Sequence, residues 1–237
     1  QKISIMIRQG YVSRNITNGD RHRHLHAAFQ QLEPSNESSY RYAPPESTAT
    51  SMSIIGCSGS GKTTTMNKIL RYYPQVIEHR ELGLKQIVYL KIDCPHDSSL
   101  KNLCSNFFRA VDLALGDTNF EHRFTRSRLN VNAMLQQMKI IANNYSIGLL
   151  IIDEILSVGD VKFQKKSNDK IKSLMGSGTT VLLVSHSIQQ IRNLCDKALW
   201  INEGKVVAFD EVNKVCDAYL KAAENASKDQ LKNIKLE

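Results

Sequence analysis

The stretch "SMSIIGCSGSGKTTTMNKIL", residues 51–70, decides the fold. It begins as a short apolar run that stops at a glycine. After a loop of small residues it continues as a helical pattern that ends before Pro74. The loop itself, "GCSGSGKTT", fits the pattern G-x-x-x-x-G-K-[ST] with a further threonine. A strand, a glycine-rich loop and a helix in this order predict a phosphate-binding loop.

The residue types in this loop suit phosphate chemistry. Small residues let successive backbone N–H groups point at a phosphate chain, and the helix that follows adds its positive N-terminal end. Lys62 can reach the β and γ phosphates, and we predict a catalytic role for it. Thr63 can place its hydroxyl on Mg²⁺, which takes few protein ligands. The predicted nucleotide-binding residues are Gly56, Cys57, Ser58, Gly59, Ser60, Gly61, Lys62, Thr63 and Thr64.

A second motif, "LLIIDE" at residues 149–154, is an apolar strand that ends in two acids. Ligands of open α/β sheets bind at the carboxyl ends of strands. We therefore predict that Asp153 holds Mg²⁺ and that Glu154 activates the attacking water as a general base. The guanine-reading pattern N-K-x-D is absent from the sequence, so ATP is the favoured nucleotide over GTP.

Strand and helix patterns alternate along the chain from Ser51, which predicts a parallel sheet covered by helices. The expected fold is an α/β P-loop NTPase of the ASCE type, a three-layer sandwich with a mostly parallel sheet. The sequence divides into a polar and basic extension (1–50), an ATPase core (51–220) and a polar tail (221–237). Expected strands cover residues 86–93, 148–153 and 179–185, with a two-stranded ribbon at 198–210. Expected helices cover 99–116, 131–144, 163–175, 187–195 and 211–223.

Composition sets broad limits on function. The 237 residues carry a net charge of +8, which permits contact with nucleic acid or an anionic membrane surface without requiring either. No apolar run approaches the ~18 residues that a membrane span needs, so a cytoplasmic location is expected. The five cysteines are scattered and form no CxxC pair, so we expect most of them to pack as small apolar residues.

The first two thirds of the chain, to about residue 154, resemble the TnsC family of AAA+ ATPases, which regulate cut-and-paste DNA transposition. The resemblance runs through "ISIMIRQGYVSRN", the phosphate loop, "YPQVIEHRELGLKQIVYLKIDCPHDSSLKNLCSNFFRAVDLALG" and "IGLLIIDEI". It implies ATP-gated assembly on duplex DNA and contact with transposition proteins, a transposase and a target selector.

From about residue 155 the chain is similar to the C-terminal half of ABC ATPases that export teichoic acid and O-antigen polysaccharides. In this resemblance "SVGD" (157–160) is the D-loop, and His186 in "VSHS" is the switch histidine that senses the γ-phosphate, which gives it a catalytic role. The other interpretation of His186 is a neighbour of a helix N-cap without a ligand role. Both families place the strand "TTVLLVSH" between the phosphate-loop strand and the acidic strand.

Each family's complementary element is missing from the sequence. No Ser- and Gly-rich signature loop of an ABC ATPase stands between residues 65 and 150, where "NFEHRFTRSRLN" occupies the region. Beyond Glu154 the sole candidate for the arginine finger of an AAA+ protein is Arg192. A trans-acting cation contributes about 10³–10⁵ in rate in related enzymes, so slow hydrolysis is expected.

Three functional hypotheses follow. The main one is an ATPase that regulates DNA transposition and assembles on DNA. The alternative is the ATPase subunit of an ABC polysaccharide exporter, whose partner is a membrane permease. A third is an engineered or computational chimera of the two halves that binds ATP without a native pathway role. Self-association through the nucleotide face is also expected.

Overall fold

The computed structural model describes residues 2–12, 50–95, 99–126, 129–153, 172, 179–185 and 187–234. Glu154, His186, the D-loop and nearly all of the helix expected at 163–175 lie outside these residues. Most of the expected extension, residues 13–49, does so as well.

A mostly parallel sheet forms the centre of the fold. Its strands stand in the order β4-β5-β6-β1-β7-β8, and the pair β7–β8 is antiparallel whereas the other pairs are parallel. A separate antiparallel hairpin joins β2 and β3. The strands are β1 Ser51–Ile55, β2 Val76–His79, β3 Leu84–Ile87, β4 Tyr89–Asp93, β5 Leu149–Asp153, β6 Thr180–Val184, β7 Lys197–Asn202 and β8 Lys205–Glu211.

Helices cover both faces of this sheet. In chain order they are α1 Lys2–Val12, α2 Lys62–Leu70, α3 Leu100–Leu115, α4 Phe120–Arg126, α5 Val131–Asn144, α6 Ile188–Leu194 and α7 Val212–Ile234. Helix α3 begins at Ser99, whose hydroxyl accepts from the Asn102 N–H, and ends at Gly116, which adopts a positive φ of 75°. The helix expected at 99–116 is therefore confirmed.

Alternate residues of each strand belong to two separate apolar cores. On β5, Leu149 and Ile151 pack with α1 and α2, whereas Leu150 and Ile152 pack with α3, α5, α6 and α7. Helices on both sides bury both faces of the parallel strands, which explains why both faces of these strands are mostly apolar. The predicted three-layer P-loop NTPase sandwich is confirmed.

Strand β6 inserts where the sequence predicted. It pairs with β1 on one side and with β5 on the other, so it lies between the phosphate-loop strand and the acidic strand. The expected ribbon is also present as β7–β8. Its turn residues Glu203 and Gly204 both have positive φ, 48° and 72°, as the tightest hairpin turns require.

Helix α1 differs from the sequence prediction, which treated residues 1–50 as a polar extension. Ile3, Met6 and Ile7 are buried against the sheet. Farther along the helix, the Tyr11 hydroxyl donates to the Ile87 carbonyl, 3.1 Å away. The spacing of three and four residues is that of one helix face. The N-terminal segment is therefore part of the core.

Two other boundaries differ. The run at 86–93 is two strands, because the chain bends at Val88. The Val88 N–H donates to the Gln75 carbonyl in register with the β2–β3 hairpin, whereas its carbonyl accepts from the Leu149 N–H of the central sheet. Helix α7 continues to Ile234, well into the segment expected as a polar tail. No helix in the described part of the chain is both long and apolar enough to cross a membrane.

Candidate functional site

A cleft of about 200 Å³ opens at the carboxyl ends of β1, β5 and β6. The fold brings Lys62, Thr63 and Asp153 together there, although the sequence separates the acid from the other two by some ninety residues. This is the edge where open α/β sheets bind ligands. The cleft is lined by Ser58, Gly59, Gly61, Lys62, Thr63, Thr64, Asp153 and Val184.

The predicted loop residues that do not line the cleft are Gly56, Cys57 and Ser60. A Cβ on Gly56 would lie 2.3 Å from the Ile201 carbonyl oxygen, so no larger residue fits between the loop and β7. Gly59 and Gly61 have φ of 76° and 88°, a conformation that favours glycine. Ser60 is buried, and its N–H donates to the Cys57 carbonyl at 3.2 Å.

Lys62 folds back over the loop. Its ammonium donates to the carbonyls of Gly56, at 2.9 Å, and of Cys57, at 2.7 Å. The side chain is buried, so these carbonyls replace part of the water that a buried ammonium needs. The loop therefore holds a positive charge at the floor of the cleft.

The turn between β7 and β8 braces the phosphate loop, and sequence reasoning missed this contact. The Gly204 N–H donates to the Ser60 carbonyl at 2.9 Å. A Cβ on Gly61 would lie 3.5 Å from the Gly204 backbone, so the two glycines lie side by side. Gly204 lies within the ribbon expected at 198–210, and the sequence carries no further signal of its contact with the phosphate loop.

Asp153 ends β5 in a buried position, 5% exposed. One carboxylate oxygen, Oδ2, lies 2.8 Å from the Lys91 ammonium of the neighbouring strand β4. The other, Oδ1, is buried and has no hydrogen-bond partner among the described residues. A buried carboxylate oxygen without a partner is costly, and a coordinated metal or its water would satisfy it.

These groups fit a magnesium ion. The Asp153 carboxylate and the half-buried Thr63 hydroxyl line one cleft, and both are oxygen ligands. Mg²⁺ keeps several waters and binds through one or two protein oxygens plus substrate phosphates. No group of three or more His, Cys, Asp or Glu side chains that could hold a metal occurs in the described ranges, which leaves this small donor set as the candidate.

Arg192 lies elsewhere. Its guanidinium, on α6, pairs with Asp217 of α7 at 2.5 Å and donates to Asn213 at 3.4 Å. It is not among the cleft residues, and its contacts join two helices. The two other predicted catalytic residues, Glu154 and His186, lie outside the described residues, so their roles remain predictions.

The cysteines are all free. Burial raises the pKa of the Cys104 and Cys195 thiols to about 12, and Cys216 is buried as well. The prediction of apolar packing is confirmed for these three. Cys57 differs, because it is exposed on the phosphate loop, where its thiol lies 3.8 Å from the Asn202 side-chain oxygen.

Comparison with known proteins supports the nucleotide-site interpretation. A sequence model of the AAA domain family matches residues 45–187, more than half of the chain. "Teichoic acids export ATP-binding protein TagH" of Enterococcus faecalis is 30% identical over 70% of this chain and 40% of its own length. The protein of the same name from Lactiplantibacillus plantarum is 31% identical over 73% of this chain and 52% of its own length.

A solved "Structure of ATP binding subunit of ABC transporter" covers 72% of this chain and 82% of its own, at 19% identity and a TM-score of 0.43. That similarity is too low to support an argument about this chain. The chain spans about half or less of the length of the curated relatives named above. Their names favour the export hypothesis over the transposition hypothesis. The TnsC resemblance and a chimeric origin gain no support from them.

Proposed function

Because the chain belongs to the AAA domain family of P-loop ATPases, we propose that it binds Mg·ATP in the cleft and hydrolyses it as the ATPase component of a membrane exporter. The observation that carries the ATP-binding part is the convergence of Lys62, Thr63 and Asp153 on one cleft. The exporter part rests on the similarity to two teichoic acids export ATP-binding proteins.

The loop residues would bind the phosphates. The loop residues Ser58, Gly59 and Gly61 line the cleft in front of α2, whose N-terminus is positive, and their backbone N–H groups would donate to the phosphates. Lys62 would exchange the Gly56 and Cys57 carbonyls for phosphate oxygens, which are stronger acceptors because they are charged. The loop is therefore preformed, and its lysine needs to move only its ammonium.

Thr63 and Asp153 would hold the metal. When bound, Mg²⁺ supplies positive charge to the phosphates as the leaving group departs. The Glu154 carboxylate, one residue beyond the strand, is proposed to take the proton of the attacking water. His186 is proposed to sense the γ-phosphate from the end of β6.

Export would require partners. A membrane permease would receive the conformational change, and a second ATPase subunit would face the cleft through its D-loop. Self-association through the nucleotide face therefore remains part of the proposal. Arg192 is occupied by Asp217 in this chain, so a cation for the γ-phosphate would have to come from another source.

ATPase turnover tests this function. The rate is measured with the chain alone, with a teichoic-acid export permease in liposomes, and with duplex DNA at two salt concentrations. Glu154→Gln should lower kcat by about 10²–10⁴ and leave ATP binding intact. Stimulation by the permease supports export. Turnover that Glu154→Gln leaves unchanged would remove Glu154 as the base.

DNA-dependent transposition is the second candidate, and the net charge of +8 permits the contact with DNA that it needs. ATP-dependent binding to duplex DNA that weakens steeply with salt would support it. An export ATPase is not expected to show that binding. The DNA arm of the turnover measurement therefore separates the two functions.

A further inference from the structure

We propose that Lys91 is a built-in counter-ion that competes with Mg²⁺ for Asp153, so that the metal enters the cleft together with ATP and not before it. Lys91 is thus a positioning residue for the metal. The inference deepens the proposed Mg·ATP function and rests on it.

The strand register explains why the two side chains meet. Strand β4 runs parallel to β5, with Asp93 opposite Asp153 and Lys91 opposite Ile151. Side chains two residues apart on a strand share a face. Lys91 therefore lies diagonally below Asp153 on the α2 side of the sheet, within reach of a long side chain. The observed distance between Nζ and Oδ2 is 2.8 Å.

Burial makes this ion pair matter. The Asp153 side chain is 7% exposed and that of Lys91 is 31% exposed, so the pair lies at the inner edge of the cleft. A buried carboxylate left without a partner is strongly destabilising. Lys91 supplies that partner through one oxygen and leaves Oδ1 without a described partner. Lys91 thus holds the carboxylate in place and leaves its second oxygen available.

The charges around the cleft set the order of binding. Lys62 lines the same cleft as Asp153, and Lys91 pairs with Asp153, so two cations accompany this buried carboxylate. The described carboxylates nearby are Asp153 and the exposed Asp93 at the end of β4. A dication alone meets repulsion from both lysines. The negative charge of the ATP phosphates offsets the repulsion from the two lysines, so the metal and the nucleotide should bind together.

Removing the Lys91 charge should make Asp153 more available to a metal ion. In Lys91→Met the side-chain stem keeps its length, and Asp153 is left with both oxygens available. We expect the nucleotide-free variant to bind Mn²⁺, used as a spectroscopic substitute for Mg²⁺, about tenfold or more tightly than the unaltered chain. Its melting temperature should rise on addition of MgCl2, because the metal replaces the lost counter-ion.

The experiment titrates Mn²⁺ into nucleotide-free protein at constant ionic strength and measures free Mn²⁺ by electron paramagnetic resonance. Lys91→Arg is the matched control and should behave like the unaltered chain, since it retains the charge. The double variant Lys91→Met with Asp153→Asn should lose the gain. Lys91→Gln provides a second neutral variant if Lys91→Met does not fold.

Two results would overturn the proposal. One is neutral Lys91 variants that bind Mn²⁺ no more tightly than the unaltered chain. The other is a gain that survives Asp153→Asn, which would place the metal elsewhere. A parallel titration of the unaltered chain with Mg·ATP tests the proposed function itself. Failure to bind ATP would reject that function, whereas the nucleotide-free result on Lys91 would stand by itself.

Discussion

The phosphate loop and the acidic end of β5 face each other across the cleft, and they are stabilised differently. In the loop, Lys62 donates to two loop carbonyls, and Gly204 of the neighbouring hairpin donates to Ser60. At the acidic end, one ion pair from Lys91 holds Asp153, and its Oδ1 has no described partner.

The two regions therefore have different proposed roles: the loop would bind phosphate, and the acidic end of β5 would bind the metal. The loop keeps its shape through the contacts of Lys62 and of the Ser60 carbonyl, although the buried Ser60 hydroxyl has no partner among the described residues. Phosphate binding therefore costs little conformational entropy. A carboxylate with a buried, unpaired oxygen retains unused binding capacity for a cation. The loop is thus the preorganised half of the site, and the acidic end is the half that responds to the metal.

The largest expected effect comes from Lys62→Ala. This change removes the cation from the floor of the cleft, and it should weaken ATP binding on the order of 100-fold, about 3 kcal/mol, as the loss of a charged hydrogen bond does. Calorimetric titration with ATP measures it. Lys68→Ala, an exposed lysine on the same helix, is the control and should bind normally. Equal affinities of the two variants would contradict the assignment of Lys62.

Gly56→Ala tests whether the loop depends on its packing against β7. The added Cβ would lie 2.3 Å from the Ile201 carbonyl, a backbone atom that cannot move aside easily. We expect a loss of about 2–3 kcal/mol in the free energy of unfolding, measured with urea. Gly59→Ala, where no atom lies within 4 Å, should lose less, about 1 kcal/mol from backbone strain. Equal losses would mean that packing against β7 is unimportant.

Gly148→Ala tests the far end of β5, opposite the acidic end. A Cβ there would lie 2.3 Å from the Tyr11 hydroxyl and 2.7 Å from the Val88 carbonyl. The free energy of unfolding should fall by about 1–2 kcal/mol, since α1 must shift. ATP affinity should change little, because the clash is remote from the cleft. A large loss of ATP affinity with normal stability would contradict this separation.

The rate at which the Cys57 thiol is modified should report nucleotide binding at the phosphate loop of the unaltered chain. At pH 7.5, a pKa of about 12 keeps the buried thiols of Cys104 and Cys195 protonated and unreactive. N-ethylmaleimide should therefore modify the exposed Cys57 several-fold faster than either of them, as peptide mass spectrometry would show. Saturating Mg·ATP should slow this modification. Modification of Cys57 at the same rate with and without ATP would place the nucleotide away from the loop.

Much of the fold could be predicted from local patterns. The loop at 56–64 and the strand ending at Asp153 carry strong signals, because glycines, a lysine and acids stand at fixed positions. Helix α1 was not predicted, because residues 1–50 are polar on average and this average hides the three apolar residues that are buried. The break at Val88 depends on hydrogen bonds to distant segments, which an uninterrupted apolar run does not reveal.

The individual residues of the candidate site could be predicted from the sequence, whereas the contacts of Asp153 and of the phosphate loop with their neighbours could not. Lys91 was one polar residue within a buried strand, and its contact with Asp153 depends on which strand lies beside β5 and in which register. The brace from Gly204 likewise depends on how the hairpin folds over the loop. Such contacts form between segments that are distant in the sequence, so local sequence patterns do not reveal them.

The most direct test of the account is an ATP titration of the unaltered chain and of Asp153→Asn, each with Mg²⁺ and with EDTA. The account places Lys62 and Asp153 in one Mg·ATP site. It predicts that EDTA weakens ATP binding by about tenfold or more in the unaltered chain, and by little in Asp153→Asn, as expected when a charged metal ligand is removed. The same metal dependence in both proteins would show that Asp153 does not hold the metal, and it would contradict the account.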